Sequence, residues 1–223
     1  MSKKFPILII DDFYENPDKI INFANTLEFK KSKFGNFPGG RTEALHNLDK
    51  KLFNYFCAKL FGVFYDFSYQ KDLKWNVVSN FYKIEKPNEQ DNHTTGWIHK
   101  DNQFMMAGLV YLNKDCKNSV GTKFYKKIKE TDENLSKYKN DYFLGKIQLK
   151  EYLKVKEEYN SCFEETDCIE PVFNRMICYD TSYFHTNADI NNLQTDRLTQ
   201  VFFVDKLEGD NNFKFPLERI RYN

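Results

Sequence analysis

The sequence has no long hydrophobic run. Its first apolar stretch, residues 5–10, is six residues long and ends at Asp11 and Asp12. A secretory signal needs a longer apolar segment, and a membrane-spanning helix needs about 20 apolar residues. We therefore expect a soluble, cytoplasmic protein that does not enter a membrane.

Excess charge of one sign and closely spaced cysteine pairs are also missing. The 33 Lys and Arg residues balance 32 Asp and Glu residues, leaving a formal net charge of +1. No overall field therefore attracts nucleic acid or an anionic membrane, and neither is favoured as a partner. The chain has five cysteines, an odd number without C-x-x-C spacing, which is typical of reduced thiols in a cytosolic protein. They are Cys57, Cys116, Cys162, Cys168 and Cys178.

Aromatic residues are abundant, at 17% of the 223 residues, within a hydrophobic content of 41%. This much apolar surface excludes a disordered chain. The length suits one domain with a sizeable core, so we expect residues 1–223 to form a single domain.

The apolar pattern predicts helices first and strands later. Residues 5–10 are typical of a buried strand, and Asn16-Pro17 of a helix start. A loop is expected over 30–44, and a second amphipathic helix from Leu48 to about Gly62. Short strands are then predicted at 63–70, 73–85, 97–101, 105–113, 121–126, 171–179, 183–187 and 197–206. This order favours a mainly β fold, a sandwich or jelly roll with flanking helices and an N-terminal helical layer.

One highly charged segment, about 127–168, interrupts the strands, and its pattern predicts a helical insertion. Two interpretations remain open. The segment is either a solvated helical excursion, or a lid or oligomer arm over a site.

The four histidines are few enough to weigh singly. On a strand, His99 and Asp101 point to the same face, because side chains two apart do so. An H-x-D pattern alone is weak evidence for a metal site, because it occurs by chance in many chains. A lone histidine such as His185 is commonly a hydrogen-bonded core residue. Together the three supply two imidazoles and a carboxylate, the facial triad of non-haem Fe(II) oxygenases.

Arg197 and Thr199 alternate on one face of the last predicted strand. An inward-facing arginine is costly unless an anion pairs with it, and arginine matches a carboxylate with two parallel hydrogen bonds. The alternative is that this face points to solvent while Leu198, Gln200 and Phe202 point inward. The apolar run 201–204 leaves both options open.

The order H-x-D, distant His, Arg-x-Thr resembles the 2-oxoglutarate/Fe(II)-dependent oxygenases, the prolyl-hydroxylase-like branch in particular. Further motifs of that family are similar to segments of this chain: Ile10-Asp11-Asp12-Phe13, Phe81-Tyr82, the Val110-Tyr111-Leu112-Asn113 strand and Gly121-Thr122-Lys123-Phe124. The chain departs from the family in its long insertion and in Ser119-Val120-Gly121, where relatives often carry a Gly-Gly pair.

The resemblance implies a double-stranded β-helix, or jelly roll. It implies that His99, Asp101 and His185 bind Fe(II), and that Arg197, Thr199 and Tyr82 hold 2-oxoglutarate. It also implies an O₂-dependent dioxygenase that hydroxylates a substrate with release of succinate and CO₂. The sequence does not say whether that substrate is a small molecule or a protein side chain.

Two other functions remain open: a cupin-like metal enzyme without 2-oxoglutarate, and a non-catalytic module that keeps the β-helix. A homo-oligomer is also open. Of the remaining candidates, His93 is expected in an exposed polar loop and His46 at the surface. In Phe37-Pro38-Gly39-Gly40-Arg41, turn geometry is favoured over the alternative that Arg41 binds an anionic group.

Overall fold

The computed structural model describes residues 6–32, 39–69, 71–86, 96–115, 120–131, 138, 141–142, 144–188, 190 and 193–209. In this part of the chain, the strands form two antiparallel sheets. The large sheet has the strand order β1-β8-β5-β10-β4-β3-β2 and the small sheet β7-β6-β9. The strands are β1 Leu8–Ile10, β2 Lys30–Lys31, β3 Gly40–Arg41, β4 Lys74–Ile84, β5 Met106–Tyr111, β6 Thr122–Lys127, β7 Phe163–Ile169, β8 Met176–Asp180, β9 Phe184–Asn187 and β10 Arg197–Glu208. The described helices are α1 Pro17–Asn25, α2 Leu45–Leu48, α3 Lys50–Gly62 and α4 Leu149–Asn160.

The two sheets pack face to face. The ring of Phe124 on β6 lies 5.0 Å from that of Tyr179 on β8, and the hydroxyls of Tyr111 and Thr122 are 2.8 Å apart. We call the side of the large sheet that faces the small sheet its inner face. It carries an apolar cluster that includes Leu109 and residues of both sheets.

The opposite, outer face of the large sheet packs against helices. Phe56 of α3 lies 5.3 Å from Phe202 of β10, and Ile20 and Ala24 of α1 belong to the same buried cluster. Both faces of β10 are therefore buried over residues 197–202. This explains why the apolar run in β10 has no simple alternation, since a strand covered on both sides is apolar on both.

The first helix begins as predicted, whereas the second prediction, one helix from Leu48, differs from the structure. The Asn16 side chain accepts a hydrogen bond from the Lys19 amide at 3.1 Å, and Pro17 occupies the first turn of α1. The second predicted helix is divided into α2 and α3 at Asp49, which has an extended backbone. Its carboxylate caps α3 by accepting from the amides of Lys51 and Leu52. The aspartate thus favours a new helix start over continuation.

Four strand predictions need correction. The strand predicted at 171–179 begins at Met176, after a turn at residues 173–174. The first strand is an edge strand rather than a buried one, and Ile9 is 43% exposed. Residues 63–69 form turns, where the Asp66 carboxylate accepts from both the amide and the hydroxyl of Ser68; residue 70 lies outside the described residues. Between 97 and 101, pairing is limited to a single bridge at His99.

The predicted loop over 30–44 contains two short strands, β2 and β3, at the edge of the large sheet. Gly39 has φ +69°, and a Cβ there would overlap the Lys83 carbonyl oxygen. Glycine therefore permits β3 to approach β4 closely. Phe37 and Pro38 lie outside the described residues.

The charged segment 127–168 is helical only in part. Helix α4 confirms the prediction for 149–160, but 163–169 form strand β7, which pairs with β6. Its charges belong to cross-strand ion pairs: Lys123–Glu165 at 2.7 Å and Lys126–Glu164 at 2.8 Å. A solvent-facing strand with this composition has the charge pattern of an exposed helix, which misled the prediction.

Among the described residues, no helix combines the length and apolar character that a bilayer span requires.

Gly108, at the middle of β5, provides a test of the packing between β5 and its neighbours. A Cβ there would overlap the Ile177 carbonyl oxygen and lie 2.5 Å from Phe202 Cζ. Overpacking typically costs about 1–3 kcal/mol. We therefore expect Gly108→Ala to lower the free energy of unfolding, measured in urea, by about 1–3 kcal/mol or more. Gly62→Ala is the control, because its Cβ would meet only Phe67 at 3.6 Å. Equal stability of both variants would contradict this packing.

Candidate metal centre and anion pocket

Two separate segments bring the predicted metal ligands together. His99 pairs with His185 of β9 through two backbone hydrogen bonds, of 3.1 and 2.9 Å. Two residues further on, the Asp101 amide donates to the Thr181 carbonyl at 3.2 Å. These contacts place both imidazoles and the carboxylate at one end of the small sheet.

Both imidazoles are oriented in the same way by backbone carbonyls. His99 Nδ1 lies 2.9 Å from the Trp97 oxygen, and His185 Nδ1 lies 3.0 Å from the Tyr183 oxygen. Because a carbonyl only accepts, each Nδ1 carries the proton in the neutral ring, and the Nε2 lone pair is left to bind a metal. The Nε2 atoms lie 3.9 Å (His99) and 3.3 Å (His185) from the Asp101 carboxylate.

The three ligand atoms lie within 4.8 Å of one another. Ligands of one transition metal at bond lengths of about 2.0–2.2 Å are separated by about 3–4.4 Å, so the cluster is close to that size. Burial raises the pKa of Asp101, but its interactions with His185, His99 and Arg41 outweigh burial, and the pKa is lowered. The carboxylate is thus ionised at neutral pH. His99 is half exposed, while His185 is buried, so the cluster is open on the His99 side.

Arg197 begins β10 on the inner face and is completely buried. Its Nε donates to the Val120 carbonyl at 3.0 Å. Among the described residues, neither of its two terminal nitrogens has a hydrogen-bond partner. A buried cation with unmatched donors is costly, so this guanidinium is suited to pairing with an anion.

The register of the large sheet settles which way the arginine face points. Thr199 lies opposite both Tyr82 of β4 and Tyr111 of β5, and Arg41 of β3 lies opposite Tyr82. Residues opposite one another share a face, so these four side chains form one row across the inner face. Leu198, Gln200 and Phe202 point to the outer face. The alternative in which the arginine face points to solvent is therefore wrong, although the residues that it placed inward are buried as well.

Tyr179 of the inner face packs against the metal-ligand cluster. Its ring is 4.8 Å from His185. Burial raises the pKa of Tyr179 well above its ordinary value; the Asp101 charge raises it further, and the Arg197 charge lowers it. Phe124, which lies opposite His185 in the small sheet, packs on Tyr179 of the inner face with ring centroids 5.0 Å apart, so His185 and Arg197 both face the space between the sheets.

Arg41 was given a minor role from the sequence, but its side chain reaches this space. Its guanidinium carbon lies 5.1 Å from the Tyr82 ring centroid and 5.6 Å from that of Phe203. Burial lowers the pKa of Arg41, while Tyr82, Asp101 and Tyr179 raise it. The signal for it was the preceding glycine pair, whose close approach to β4 fixes the position of Arg41.

Three further residues from the sequence analysis can be placed relative to the site or to the described residues. Tyr111 was noted only as part of a motif, yet its ring lies 5.5 Å from the Arg197 guanidinium carbon. His46 is exposed in α2, with its ring 5.6 Å from Phe53, as expected of a surface residue. His93 lies outside the described residues.

Comparison with known families gives a match over most of the chain. The model of DUF6445, described as a family of unknown function, matches residues 1–203. The chain belongs to the DUF6445 family. No curated protein matches this DUF6445 sequence significantly.

Solved structures resemble the DUF6445 protein in fold at low sequence identity. HygX from Streptomyces hygroscopicus, solved with nickel and 2-oxoglutarate bound, has a TM-score of 0.53 at 10% identity, covering 93% of this chain and 84% of HygX. A prolyl 4-hydroxylase from Phytophthora capsici has a TM-score of 0.46 at 12% identity, covering 92% of this chain. The DUF6445 chain spans 59% of that hydroxylase chain. The HygX similarity shows a shared mainly β fold.

Proposed function

We propose that this protein is a 2-oxoglutarate- and Fe(II)-dependent dioxygenase with a double-stranded β-helix fold, which hydroxylates an unidentified substrate. The observation that carries the proposal is the buried guanidinium of Arg197, which faces the same space between the sheets as the His99–Asp101–His185 cluster. A metal ion beside an arginine that needs an anion is the arrangement that a chelating dicarboxylate requires.

The residues present fit a divalent metal. His99 and His185 each offer an Nε2 lone pair, and Asp101 offers an anionic oxygen, a set that suits non-haem Fe(II). In the proposed role, Fe(II) with 2-oxoglutarate and O₂ supplies the oxidation of a substrate C–H bond, with succinate and CO₂ as by-products. The Asp101 charge offsets part of the metal charge, and the two carbonyls at Nδ1 keep both rings turned towards the ion.

The inner face would bind the co-substrate. The terminal nitrogens of Arg197 would donate to the distal carboxylate of 2-oxoglutarate, and the hydroxyls of Thr199 and Tyr82 lie in the neighbouring row. Burial raises the pKa of Tyr82 well above its ordinary value, so its phenol stays protonated and able to donate. Phe124 and Tyr179 would exclude water from the wall beside His185.

The substrate is proposed to be a small molecule or a protein side chain, in the cytoplasm. It would enter from the side of His99, the exposed ligand. The cupin-like and non-catalytic alternatives differ from this proposal in one respect that can be measured, because neither requires 2-oxoglutarate to bind beside the metal.

The test is calorimetric titration of 2-oxoglutarate into the protein under anaerobic conditions, with and without Mn(II) as a redox-inert substitute for Fe(II). We expect saturable binding that is tighter with Mn(II), because the metal and Arg197 hold opposite ends of one molecule. Slow release of succinate from 2-oxoglutarate in air with Fe(II) would support turnover. Metal binding without any 2-oxoglutarate binding would favour the cupin-like alternative, and binding of neither would favour the non-catalytic one.

A further inference from the structure

Among the described residues, the segment that leads into His99 has one strand neighbour. His99 bonds to His185 on one edge, through its own N–H and C=O. In an extended segment, the polar groups of alternate residues point to opposite edges. The groups of Gly96 and Ile98 therefore point away from His185, towards the side where a further strand would lie in a wider sheet.

Asn160, the last residue of α4, occupies that edge. Its amide nitrogen donates to the Gly96 carbonyl at 3.0 Å, and its amide oxygen accepts from the Ile98 N–H at 3.1 Å. One side chain thus forms the pair of hydrogen bonds that a neighbouring strand would provide. The segment before His99 is held on both edges.

A second set of contacts joins α4 to Trp97, the residue between Gly96 and Ile98. The Trp97 indole N–H donates to the Tyr152 hydroxyl at 2.9 Å, and the Trp97 ring lies 5.0 Å from that of Tyr159. The Trp97 carbonyl is the acceptor for His99 Nδ1. Helix α4 therefore packs on the residue whose backbone fixes the tautomer and rotation of the His99 ring.

The end of α4 is itself tied to the sheet that carries His185. The chain turns through Ser161 and Cys162 into β7, which pairs with β6, and β6 pairs with β9. Asn160 is thus linked through one continuous ladder to His185. The distance between the two histidines depends on this connection as well as on their own bridge.

We propose that Asn160 is a positioning residue, which aligns His99 for metal binding, and that this is the role of helix α4 in the charged insertion. The inference rests on the proposed metal site. Removing a partner that orients a ligating histidine typically weakens metal binding by about 10–100-fold. Neither a solvated excursion nor an oligomer arm requires these contacts with residues 96–98.

The experiment is a titration of the full-length protein with Mn(II), followed by the electron paramagnetic resonance signal of free Mn(II). We expect Asn160→Ala to weaken Mn(II) binding by about tenfold or more. The control is Ser161→Ala, which removes a hydroxyl that donates to the Glu158 carbonyl within the turn, and this variant should bind Mn(II) as the wild type does. Asn160→Asp keeps the acceptor for Ile98 but loses the donor to Gly96, so an intermediate affinity is expected; it also serves if the alanine variant does not fold.

Two further measurements separate positioning from stability alone. Saturating Co(II) should give Asn160→Ala a visible absorption spectrum different from that of the wild type, because the His99 ring is no longer held. Amide hydrogen exchange at Ile98 should accelerate. A variant that only loses thermal stability, with the wild-type Co(II) spectrum and Mn(II) affinity, would overturn the inference.

The variant His99→Ala separates the test of the metal site from the test of the positioning role of Asn160. If the wild type binds Mn(II), His99→Ala does not, and Asn160→Ala binds as tightly as the wild type, the metal site stands and the role of Asn160 is refuted. If the wild type itself does not bind Mn(II), both the metal site and the role of Asn160 are overturned.

Discussion

An Asp101→Ala protein is expected to bind Mn(II) more than about 100-fold less tightly than the wild type, since even outer partners of a ligand contribute about 10–100-fold. Asp101 is the only anionic member of the ligand cluster. Its carboxylate lies within 4 Å of both Nε2 atoms and is kept ionised by its neighbours. Without it, two neutral imidazoles remain, which leaves too few ligands to hold Mn(II) well.

The control for Asp101 is an exposed carboxylate on β10. Asp205 accepts a hydrogen bond from Asn76 at 2.8 Å, on the outside of the protein. Asp205→Ala should leave Mn(II) binding unchanged, as measured by the same titration. If Asp101→Ala retained wild-type affinity, any bound metal would have to be held elsewhere, and the site would be refuted.

Replacing Arg197 by methionine is expected to separate co-substrate binding from metal binding. Truncating one partner of a buried, hydrogen-bonded charge pair costs about 2–5 kcal/mol, or about 30-fold to several thousand-fold in Kd. We therefore expect Arg197→Met to bind 2-oxoglutarate at least about 30-fold less tightly than the wild type. Its affinity for Mn(II) without 2-oxoglutarate should stay near the wild-type value. Calorimetric titration of 2-oxoglutarate with Mn(II) present measures the first affinity, and titration of Mn(II) without 2-oxoglutarate measures the second.

The same variant carries an unusual stability expectation. In the ligand-free protein, Arg197 pays the cost of a buried cation whose terminal nitrogens have no partner among the described residues. Exchanging a buried charge for an apolar side chain of similar volume is commonly neutral or stabilising. The free energy of unfolding of ligand-free Arg197→Met should therefore equal or exceed that of the wild type.

Arg175 provides the matched control. It forms a two-point ion pair with Asp11, at 2.6 and 3.0 Å, on another part of the large sheet. Arg175→Met should leave 2-oxoglutarate binding unchanged and should not stabilise the protein. Unaltered 2-oxoglutarate affinity in Arg197→Met would refute the anchoring role of Arg197.

The sequence was sufficient for those features that depend on local chemistry. The cap at Asn16-Pro17 and the alternation in β4, β6 and β9 act over a few residues, and the structure contains these elements. The ligands could be proposed because His99 and Asp101 share a face by strand periodicity alone. Their meeting with His185 could be inferred only from family resemblance, since it depends on pairing across more than 80 residues of chain.

The features missed from the sequence depend on tertiary contacts. The two buried faces of β10 cannot be distinguished by periodicity, and strand β7 was concealed by charges that pair across strands. Arg41 and Asn160 lie in segments that were read as a loop and an exposed helix. Their importance comes from neighbours that are distant in the chain, Tyr82 for Arg41 and Gly96 and Ile98 for Asn160.

The most direct test of the metal centre is a crystal structure of the protein soaked with Mn(II), with anomalous scattering used to locate the ion. We expect one strong peak about 2.0–2.3 Å from His99 Nε2, His185 Nε2 and an Asp101 carboxylate oxygen, the range of ordinary metal bonds to nitrogen and oxygen. A peak bound by other residues, or none at these three side chains under saturating Mn(II), would contradict it.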